Sequence, residues 1–241
     1  MGKPRKKVII EGKRLDGRLP EEMRPIQMKL DVVSQADGSA EVRFGNTVVI
    51  ASVYGPRTLH PKYLQEAEFG ILRCRYNMAP FSVDERKSPG PDRRSIEISK
   101  ITRLALEPAI FLEEFPRTVI DVFIEVIQGD GSTRVTGINA ASLALASAGI
   151  PMKDLVAACS VGKIDGTLVV DLSGEEDVNS ESDLNFAIMP SKDEITLLQS
   201  DGELTKDELL KLIDYAKKNC IKIYEMQKKT LKEKFKSMES D

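Results

Sequence analysis

Three groups of charged residues have the side-chain types that carry phosphate and acid–base chemistry. Arg93 and Arg94 are adjacent, and Arg134 closes a Gly-Asp-Gly-Ser-Thr-Arg segment. Guanidinium groups and the free N–H groups of such a segment bind phosphate oxygens. The third group is an acidic run that contains Glu175, Glu176, Asp177, Glu181 and Asp183. Two carboxylates of this run could bind a hard metal ion, or one could protonate a leaving oxygen.

Each group also has an ordinary structural interpretation. Ser132 or Thr133 could cap a helix while Arg134 lies in solvent, and the acidic run could be a solvated loop. Spacing alone does not exclude these interpretations. The functional interpretation is favoured because all three groups occur together in a chain with a single histidine.

The segment around Arg134 is predicted to be a strand, a short loop and a helix. Residues 119–127 are rich in β-branched side chains and alternate in polarity, which is typical of a half-buried strand. Residues 128–134 interrupt this pattern, and the small residues of 136–148 predict a helix that ends at Gly149. This order places free N–H groups and the positive end of a helix at the loop, where an anion can bind.

The composition disfavours several common kinds of active site. His60 is the only histidine, which disfavours Ser-His-Asp hydrolases, paired-histidine ribonucleases and HExxH metalloproteases. Cys74, Cys159 and Cys220 form no CxxC pair, so neither a zinc site nor a disulfide framework is predicted, and a reducing, cytoplasmic compartment is expected.

The net charge of −3 argues against a protein that coats nucleic acid with its whole surface, but allows a local basic channel. No apolar run approaches the ~20 residues of a membrane span, and no apolar signal segment follows the basic start.

The order of the predicted elements favours the α+β class, with mixed sheets packed against helices. The first twelve residues carry four basic side chains, so residues 1–12 are expected to form a flexible basic arm. Residues 13–236 are predicted to form a single domain, followed by a flexible tail over 237–241. Helices are predicted over 95–111, with a kink at Pro108, and over 205–236, and the acidic run is expected to be a loop.

Six longer motifs resemble the RNase PH family. They are RLDGR…MRPI (14–26), ADGSA…GNTVVIASVYGPR (36–57), RYNMAPFSVDERKSPGPDRRSIEISK (75–100), FPRTVIDVFIEVIQGDGSTR (115–134), NAASLALASAGIPM (139–152) and EEDVNSESDLNFA (175–187). The resemblance covers roughly residues 12–230 and, within the family, is strongest to the catalytic RNase PH-like subunits of archaeal exosomes.

The resemblance implies an RNase PH-type domain of two βαβ-containing halves and a 3′→5′ exoribonuclease that acts by phosphorolysis. Inorganic phosphate, the co-substrate, would attack the 3′-terminal phosphodiester of single-stranded RNA and release nucleoside diphosphates, and the reverse reaction would add 3′ tails. It also implies a heterohexameric ring shared with a paralogous non-catalytic RNase PH-like subunit, RNA-binding cap subunits, and no membrane. Two alternatives stay open: a homohexameric RNase PH that trims transfer-RNA 3′ ends, and a non-catalytic RNA-binding ring subunit.

Roles for individual residues also follow from the resemblance. The phosphate pocket would consist of Arg94, Ser132, Thr133 and Arg134. Asp183 would be the general acid and would act with the catalytic arginines Arg94 and Arg134. Asp177 and Asp183 would hold a divalent metal, Mg²⁺ or Mn²⁺, and the RNA would be bound by Lys62, Arg93 and Arg117.

Overall fold

Two β-sheets and four helices make up the part of the chain that the computed structural model describes, residues 7–10 and 12–238. The strands are β1 (Ile26–Leu30), β2 (Gly38–Phe44), β3 (Thr47–Thr58), β4 (Ile71–Met78), β5 (Thr118–Gln128), β6 (Ala157–Ile164), β7 (Thr167–Val170), β8 (Ser182–Met189) and β9 (Glu194–Gly202). The helices are α1 (Arg93–Leu106), α2 (Thr133–Ser147), α3 (Gly174–Asn179) and α4 (Lys206–Met238). The predicted α+β class is therefore confirmed.

The first sheet is mixed and has the strand order β1-β2-β3-β5-β4. Strands β4 and β5 are parallel, and α1 lies between them in the sequence, so they form a βαβ unit. Val49, Ala51 and Val53 alternate along β3 and are fully buried, as the alternation of apolar residues predicts. This sheet therefore presents one apolar face to the helices.

The second sheet has the strand order β7-β6-β8-β9, and each neighbouring pair in it is antiparallel. Because β7 and β8 both run antiparallel to β6, they are parallel to each other. Helix α3 connects them, which makes a βαβ unit with β6 inserted between its strands. Each half of the molecule thus contains the βαβ unit that the resemblance implies.

Helix α2 lies between the two halves and packs against strands of both sheets. Small residues make this close packing possible: a Cβ atom at Gly38 would lie 2.3 Å from the backbone nitrogen of Ala148, just after the helix. Ala140, Ala141 and Ala144 are fully buried on the helix itself. The N-terminal end of α2, which carries Thr133 and Arg134, is therefore held by the core of the protein.

Helix α1 begins two residues earlier and ends five residues earlier than predicted. Its first residue is Arg93, because Asp92 and the Ser95 side chain form a capping box in which Asp92 accepts a hydrogen bond from Ser95 N. It ends at Leu106, since Pro108 disfavours a continuing helix, so the predicted kink is instead a helix end. Within this helix Leu104 is 47% exposed, whereas Ile98 is fully buried.

The acidic run is not the loop that its composition predicts. Residues 174–179 form α3, which begins with a capping box between Ser173 and Glu176, and Asp183 lies on β8 rather than in a loop. Its position on β8, which pairs with β6 on one side and with β9 on the other, fixes the backbone of Asp183.

The two ends of the chain were predicted to be flexible. Residues 1–6 and 11 of the expected arm lie outside the described residues, but Val8 and Ile9 are buried, and their N–H groups donate to Asp165 Oδ2 at 2.8 and 2.9 Å. This part of the expected arm is packed against the domain. At the other end α4 continues to Met238, and residues 239–241 lie outside the described residues.

Helix α4 closes the second half with an apolar face. Leu212, Ala216, Cys220 and Ile223 are fully buried, as their spacing predicts. Within the described residues, none of the helices, α4 included, has both the length and the apolar composition to cross a lipid bilayer.

Three arginines near the start of the domain are buried, although the sequence there reads as a polar, turn-rich segment. Arg14 and Arg18 are 3% and 8% exposed and contact Glu176 and Asp171. Arg24 is 6% exposed and donates to Asp171 from Nε at 2.9 Å and from Nη2 at 2.7 Å. This buried ionic cluster ties the first residues of the domain to the segment that leads into α3.

The buried cluster makes the stability of the domain sensitive to acid. Burial would raise the pKa values of Asp171 and Glu176, but hydrogen bonds and charge from Arg24 and Arg14 outweigh it and lower both. A carboxyl with a lowered pKa stabilises the fold above its unfolded pKa, near 4, and loses that contribution as the pH falls. We expect the free energy of unfolding in urea to decrease below about pH 5, by up to ~1.4 kcal/mol per pH unit for each proton taken up.

A double variant provides the control for this acid effect. Arg14→Met with Glu176→Gln removes one buried ion pair as a unit, so its slope of unfolding free energy against pH should be smaller by about one proton. A slope equal to that of the unmodified protein would show that Glu176 does not contribute to acid sensitivity.

Candidate active site

A cavity of about 230 Å³ lies where the N-terminal ends of α1 and α2 approach β8. Six predicted site residues line it: Arg94, Ser132, Thr133, Arg134, Asp177 and Asp183. An open groove of about 860 Å³ adjoins the cavity and shares Arg94, Arg134, Asp177 and Asp183 with it. Arg93 lines the groove only. The two arginine-bearing helix ends and the acidic segment, which are distant in sequence, thus meet at one place.

The loop before α2 has a backbone conformation that depends on glycine. Gly131 has φ +71°, and a Cβ atom there would lie 2.5 Å from the carbonyl oxygen of Leu172. Ser132 follows with φ 53° and precedes the first residue of α2. The first N–H groups of a helix have no partner within it, so this tight turn leaves donors directed at the cavity that the loop lines.

The two hydroxyl groups of the loop have different partners. Ser132 Oγ lies 2.7 Å from Ser160 Oγ and donates to the carbonyl oxygen of Leu172 at 2.8 Å, so this side chain is held within the protein. Thr133 Oγ1 accepts a hydrogen bond of 2.9 Å from the Tyr76 hydroxyl, whose pKa is raised by burial. The proton of Thr133 therefore remains available to an anion, whereas Ser132 would contribute mainly its backbone.

Arg134 is the best placed cation of the cavity. Its Nη1 donates to Gln199 Oε1 at 2.8 Å, and its Nε is buried with no hydrogen-bond partner among the described residues. A buried donor without a partner costs about 1–3 kcal/mol, and a bound anion would remove that cost. Arg94 is exposed on the first turn of α1 and adds a second guanidinium, and Lys87 adds an ammonium group.

The two carboxyl groups of the cavity are protonated more readily than usual. Burial, followed by the charge of Asp177, raises the pKa of Asp183 to about 6, and a hydrogen bond of 2.7 Å from Asn185 Nδ2 opposes this only in part. Burial also raises the pKa of Asp177, against the charges of Arg94 and Arg134. An acid with a pKa near 6 can hold a proton and release it at neutral pH, which a general acid must do.

Asp177 and Asp183 are also the candidate metal ligands. The described residues contain no group of three or more His, Cys, Asp or Glu side chains arranged to hold a metal ion. Mg²⁺ commonly binds one or two carboxylates together with substrate phosphates and water, and the pair Asp177 and Asp183 fits that kind of site.

Lys62 and Arg117 lie apart from the cavity and the groove. Lys62 is exposed at the start of a three-residue 3₁₀ turn, Lys62–Leu64. Arg117 is exposed, and its backbone bonds to both sides of that turn, to Leu59 at 3.3 Å and to Glu66 at 3.0 Å. The segments that carry these two residues are thus hydrogen-bonded to each other, away from the cavity and the groove.

Three residues of the site were not among the predicted ones. Lys87 could have been inferred from the basic loop before α1, and Asn185 from its position two residues after Asp183 on the same face of a strand. Gln199 offered no signal, because its contact with Arg134 depends on how β9 pairs with β8.

Comparisons with known proteins agree with this geometry. Residues 22–151 match the first domain, and residues 154–219 the second domain, of the RNase PH 3′ exoribonuclease family. The chain is 60% identical over 237 residues to exosome complex component Rrp41 of Thermococcus kodakarensis, covering 98% of this chain and 95% of that protein. It is 62% identical over 224 residues to Rrp41 of Pyrococcus furiosus, covering 93% and 90%.

Two solved structures share the fold. Rice Rrp46 superposes with a TM-score of 0.81 at 25% identity, over 90% of this chain and 100% of that one. A chain of the Archaeoglobus fulgidus exosome with RNA bound to the active site superposes with a TM-score of 0.80 over 90% and 93%, and at 22% identity this likeness concerns the fold alone. On the basis of both matched domains and of sequence identity over nearly its whole length, the chain belongs to the RNase PH family of 3′ exoribonucleases.

Proposed function

We propose that the chain is the catalytic subunit of an archaeal-type exosome that degrades RNA from its 3′ end by phosphorolysis. The observation that carries this proposal is that Arg94, Arg134 and Asp183 line one cavity, with a buried Arg134 donor that has no partner in the described part of the chain. The relatives at 60% and 62% identity are named exosome components, which supports the same assignment.

The cations of the cavity would offset the electrostatic repulsion between the two anionic reactants. An inorganic phosphate dianion must approach an anionic phosphodiester, and fixed donors are needed to offset their repulsion. The N–H groups at the start of α2, Thr133, Arg134 and Arg94 would hold the attacking phosphate. Arg93, in the adjoining groove, would bind the RNA backbone.

Asp183 would complete the reaction as the general acid. An oxygen of inorganic phosphate forms a bond to the phosphorus of the terminal phosphodiester, and the bond from that phosphorus to the 3′ oxygen of the preceding nucleotide breaks. Asp183 gives its proton to this 3′ oxygen, which leaves a shortened RNA with a 3′ hydroxyl and a nucleoside diphosphate. In the reverse reaction the Asp183 carboxylate takes the proton back, and a nucleotide is added to the RNA.

A divalent cation, Mg²⁺ or Mn²⁺, fits the pair Asp177 and Asp183. The charge of Asp177 raises the pKa of Asp183, which means that the two carboxyl groups repel each other when both are ionised. One bound cation would relieve this repulsion. A bound cation would supply charge neutralisation for the phosphate oxygens that surround it. Asp177 would be the more constant ligand, since Asp183 also has to exchange a proton.

The relatives also bear on assembly. As an exosome component the chain would alternate with a paralogous non-catalytic RNase PH-like subunit in a heterohexameric ring, with RNA-binding cap subunits above it. Lys62 and Arg117, which are exposed away from the cavity, would contact the incoming single strand. The three unpaired cysteines suit a reducing compartment, and we assign the enzyme to the cytoplasm.

The two alternatives differ from this proposal in measurable ways. A homohexameric enzyme that trims transfer-RNA ends would be fully active without a partner, and mass measurement of the purified chain would show six copies. A non-catalytic ring subunit would be expected to lack one of the residues Arg94, Arg134 and Asp183. All three are present and line one cavity, which favours the catalytic assignment.

Titration with phosphate tests the proposed reaction. The chain with its partner subunit is incubated with poly(A) at increasing concentrations of inorganic phosphate, and the products are separated. We expect nucleoside diphosphates at a rate that rises with phosphate and saturates. Release of nucleoside monophosphates at a rate independent of phosphate would indicate hydrolysis and would overturn the proposal.

Replacement of Arg134 by lysine tests the phosphate site directly. Lysine keeps the charge but loses the Nε donor and the planar fork of the guanidinium. We expect the KM for phosphate to rise about ten- to hundredfold, as for the loss of one hydrogen bond to a charged group. Arg103→Lys on α1, whose partner is Glu107 rather than a residue of the cavity, is the matched control and should keep its KM. An unchanged KM in Arg134→Lys would remove Arg134 from the phosphate site.

A further inference from the structure

Three polar side chains form a row across the second sheet, directly beside the cavity. Ser160 on β6 is opposite Asn185 on β8, and Asn185 is opposite Gln199 on β9. Residues that are directly opposite on neighbouring strands point to the same face of a sheet. We call Ser160, Asn185 and Gln199 the polar row.

Each member of the polar row contacts a different part of the candidate active site. Ser160 Oγ lies 2.7 Å from the hydroxyl of Ser132, and Asn185 Nδ2 donates to Asp183 Oδ2 at 2.7 Å. Gln199 Oε1 accepts from Arg134 Nη1 at 2.8 Å. The second sheet therefore contacts the loop before α2, the proposed acid and the proposed phosphate-binding arginine.

Arg134 differs from the buried arginines Arg14 and Arg24 in the charge of its hydrogen-bond partner. Arg14 and Arg24 pair with carboxylates, which offset their charge. Arg134 makes no ion pair within 4.0 Å among the described residues, although Asp177 and Asp183 line the same cavity. Its side-chain acceptor is a neutral amide, so among the described residues no carboxylate in direct contact offsets its charge.

The orientation of that amide is also set. Gln199 Nε2 donates to Glu97 Oε1 on α1 at 3.5 Å, which leaves its oxygen to face Arg134. An amide that is held at both ends presents only its acceptor to the guanidinium. Helix α1 and strand β9 thus direct one side of Arg134 toward Gln199, while its buried Nε has no partner within residues 7–10 and 12–238.

We propose that Gln199 is a positioning residue that holds Arg134 for phosphate through an uncharged acceptor. The proposal rests on the proposed function and deepens it, since it assigns a role in phosphate binding to a residue that does not itself need to contact phosphate. It requires both the acceptor and its neutrality. A carboxylate at position 199 would hold the arginine equally well but would offset its charge.

Two substitutions separate these requirements. Gln199→Leu removes the acceptor, and Gln199→Glu keeps an acceptor but adds a negative charge. Ser200→Ala is the matched control, because Ser200 is exposed on the same strand and lines neither the cavity nor the groove. For each protein, assembled with its partner subunit, kcat and the KM values for phosphate and poly(A) are measured. The affinity for inorganic phosphate alone is measured by calorimetry without RNA.

We expect Gln199→Leu and Gln199→Glu each to raise the KM and the Kd for phosphate about tenfold, with kcat changed less than twofold. The KM for poly(A) should stay within twofold in Gln199→Leu, which adds no charge to the groove that Gln199 lines. Ser200→Ala should match the unmodified protein. A phosphate Kd within twofold of the unmodified value in either Gln199 variant would overturn the proposal, as would a fall in kcat with an unchanged phosphate KM, which indicates a merely structural role. Phosphate-independent RNA decay by the unmodified protein would instead contradict the proposed function, and calorimetry would still decide the role of Gln199.

Discussion

Substitution of Asp183 by asparagine should lower the rate of phosphorolysis by about 10²–10⁴-fold, the range that a general acid contributes. Asparagine has nearly the same size and can still accept a hydrogen bond from Asn185, so the cavity should keep its shape. It cannot release a proton to the 3′ oxygen of the leaving RNA. The measurement is single-turnover release of nucleoside diphosphate from poly(A), with the partner subunit present.

A neighbouring aspartate provides a control for the Asp183 variant. Asp201 is the cross-strand partner of Asp183 on β9 and lines the groove but not the cavity. Asp201→Asn therefore removes the same charge from the same part of the sheet, and its rate should stay within severalfold of the unmodified enzyme. An Asp183→Asn enzyme with full activity would exclude Asp183 as the acid, and equal losses in both variants would point to net charge rather than proton transfer.

The parts of the site that could be predicted from the sequence are those that local chemistry determines. The small residues after Arg134 require a closely packed helix, and the glycines before it require a tight turn, so the helix end proposed to bind an anion follows from a short stretch of chain. The helix start at Arg93 was misplaced by two residues because the capping role of Asp92 was overlooked. Errors of this size leave the direction of the helix end unchanged.

The parts that could not be predicted depend on partners far apart in the sequence. Asp183 was expected in a loop, and its place on β8 makes Asn185 and, through β9, Gln199 neighbours of the site. Arg24 lies in a polar, turn-rich segment, yet it is buried because Asp171, 147 residues later, provides its counter-charge. A charged residue is buried only where such a partner exists, and composition alone does not reveal the pairing.

That pairing leads to a large expected effect on stability. Arg24→Met should lower the free energy of unfolding by about 3–5 kcal/mol, because it leaves the Asp171 carboxylate buried without its main cation. Arg43→Met is the matched control: Arg43 pairs with Glu41 at 2.8 Å but is 41% exposed, so its loss should cost under ~1 kcal/mol. Urea unfolding of the three proteins at pH 7 measures the difference.

The Arg24 variant also tests whether the buried ionic cluster supports the loop before α2, residues 129–132. Arg24 Nη1 donates to the carbonyl oxygen of Asp130, and Asp171 Oδ1 lies 3.1 Å from Ser132 Oγ, so the cluster contacts both ends of the loop. We therefore expect the folded fraction of Arg24→Met to bind phosphate more weakly, whereas Arg43→Met should bind it normally.

A stability loss under ~1 kcal/mol in Arg24→Met would mean that Arg18 or water compensates the Asp171 charge. Unchanged phosphate affinity would mean that Gly131 and the N-terminal end of α2 hold the loop without the cluster.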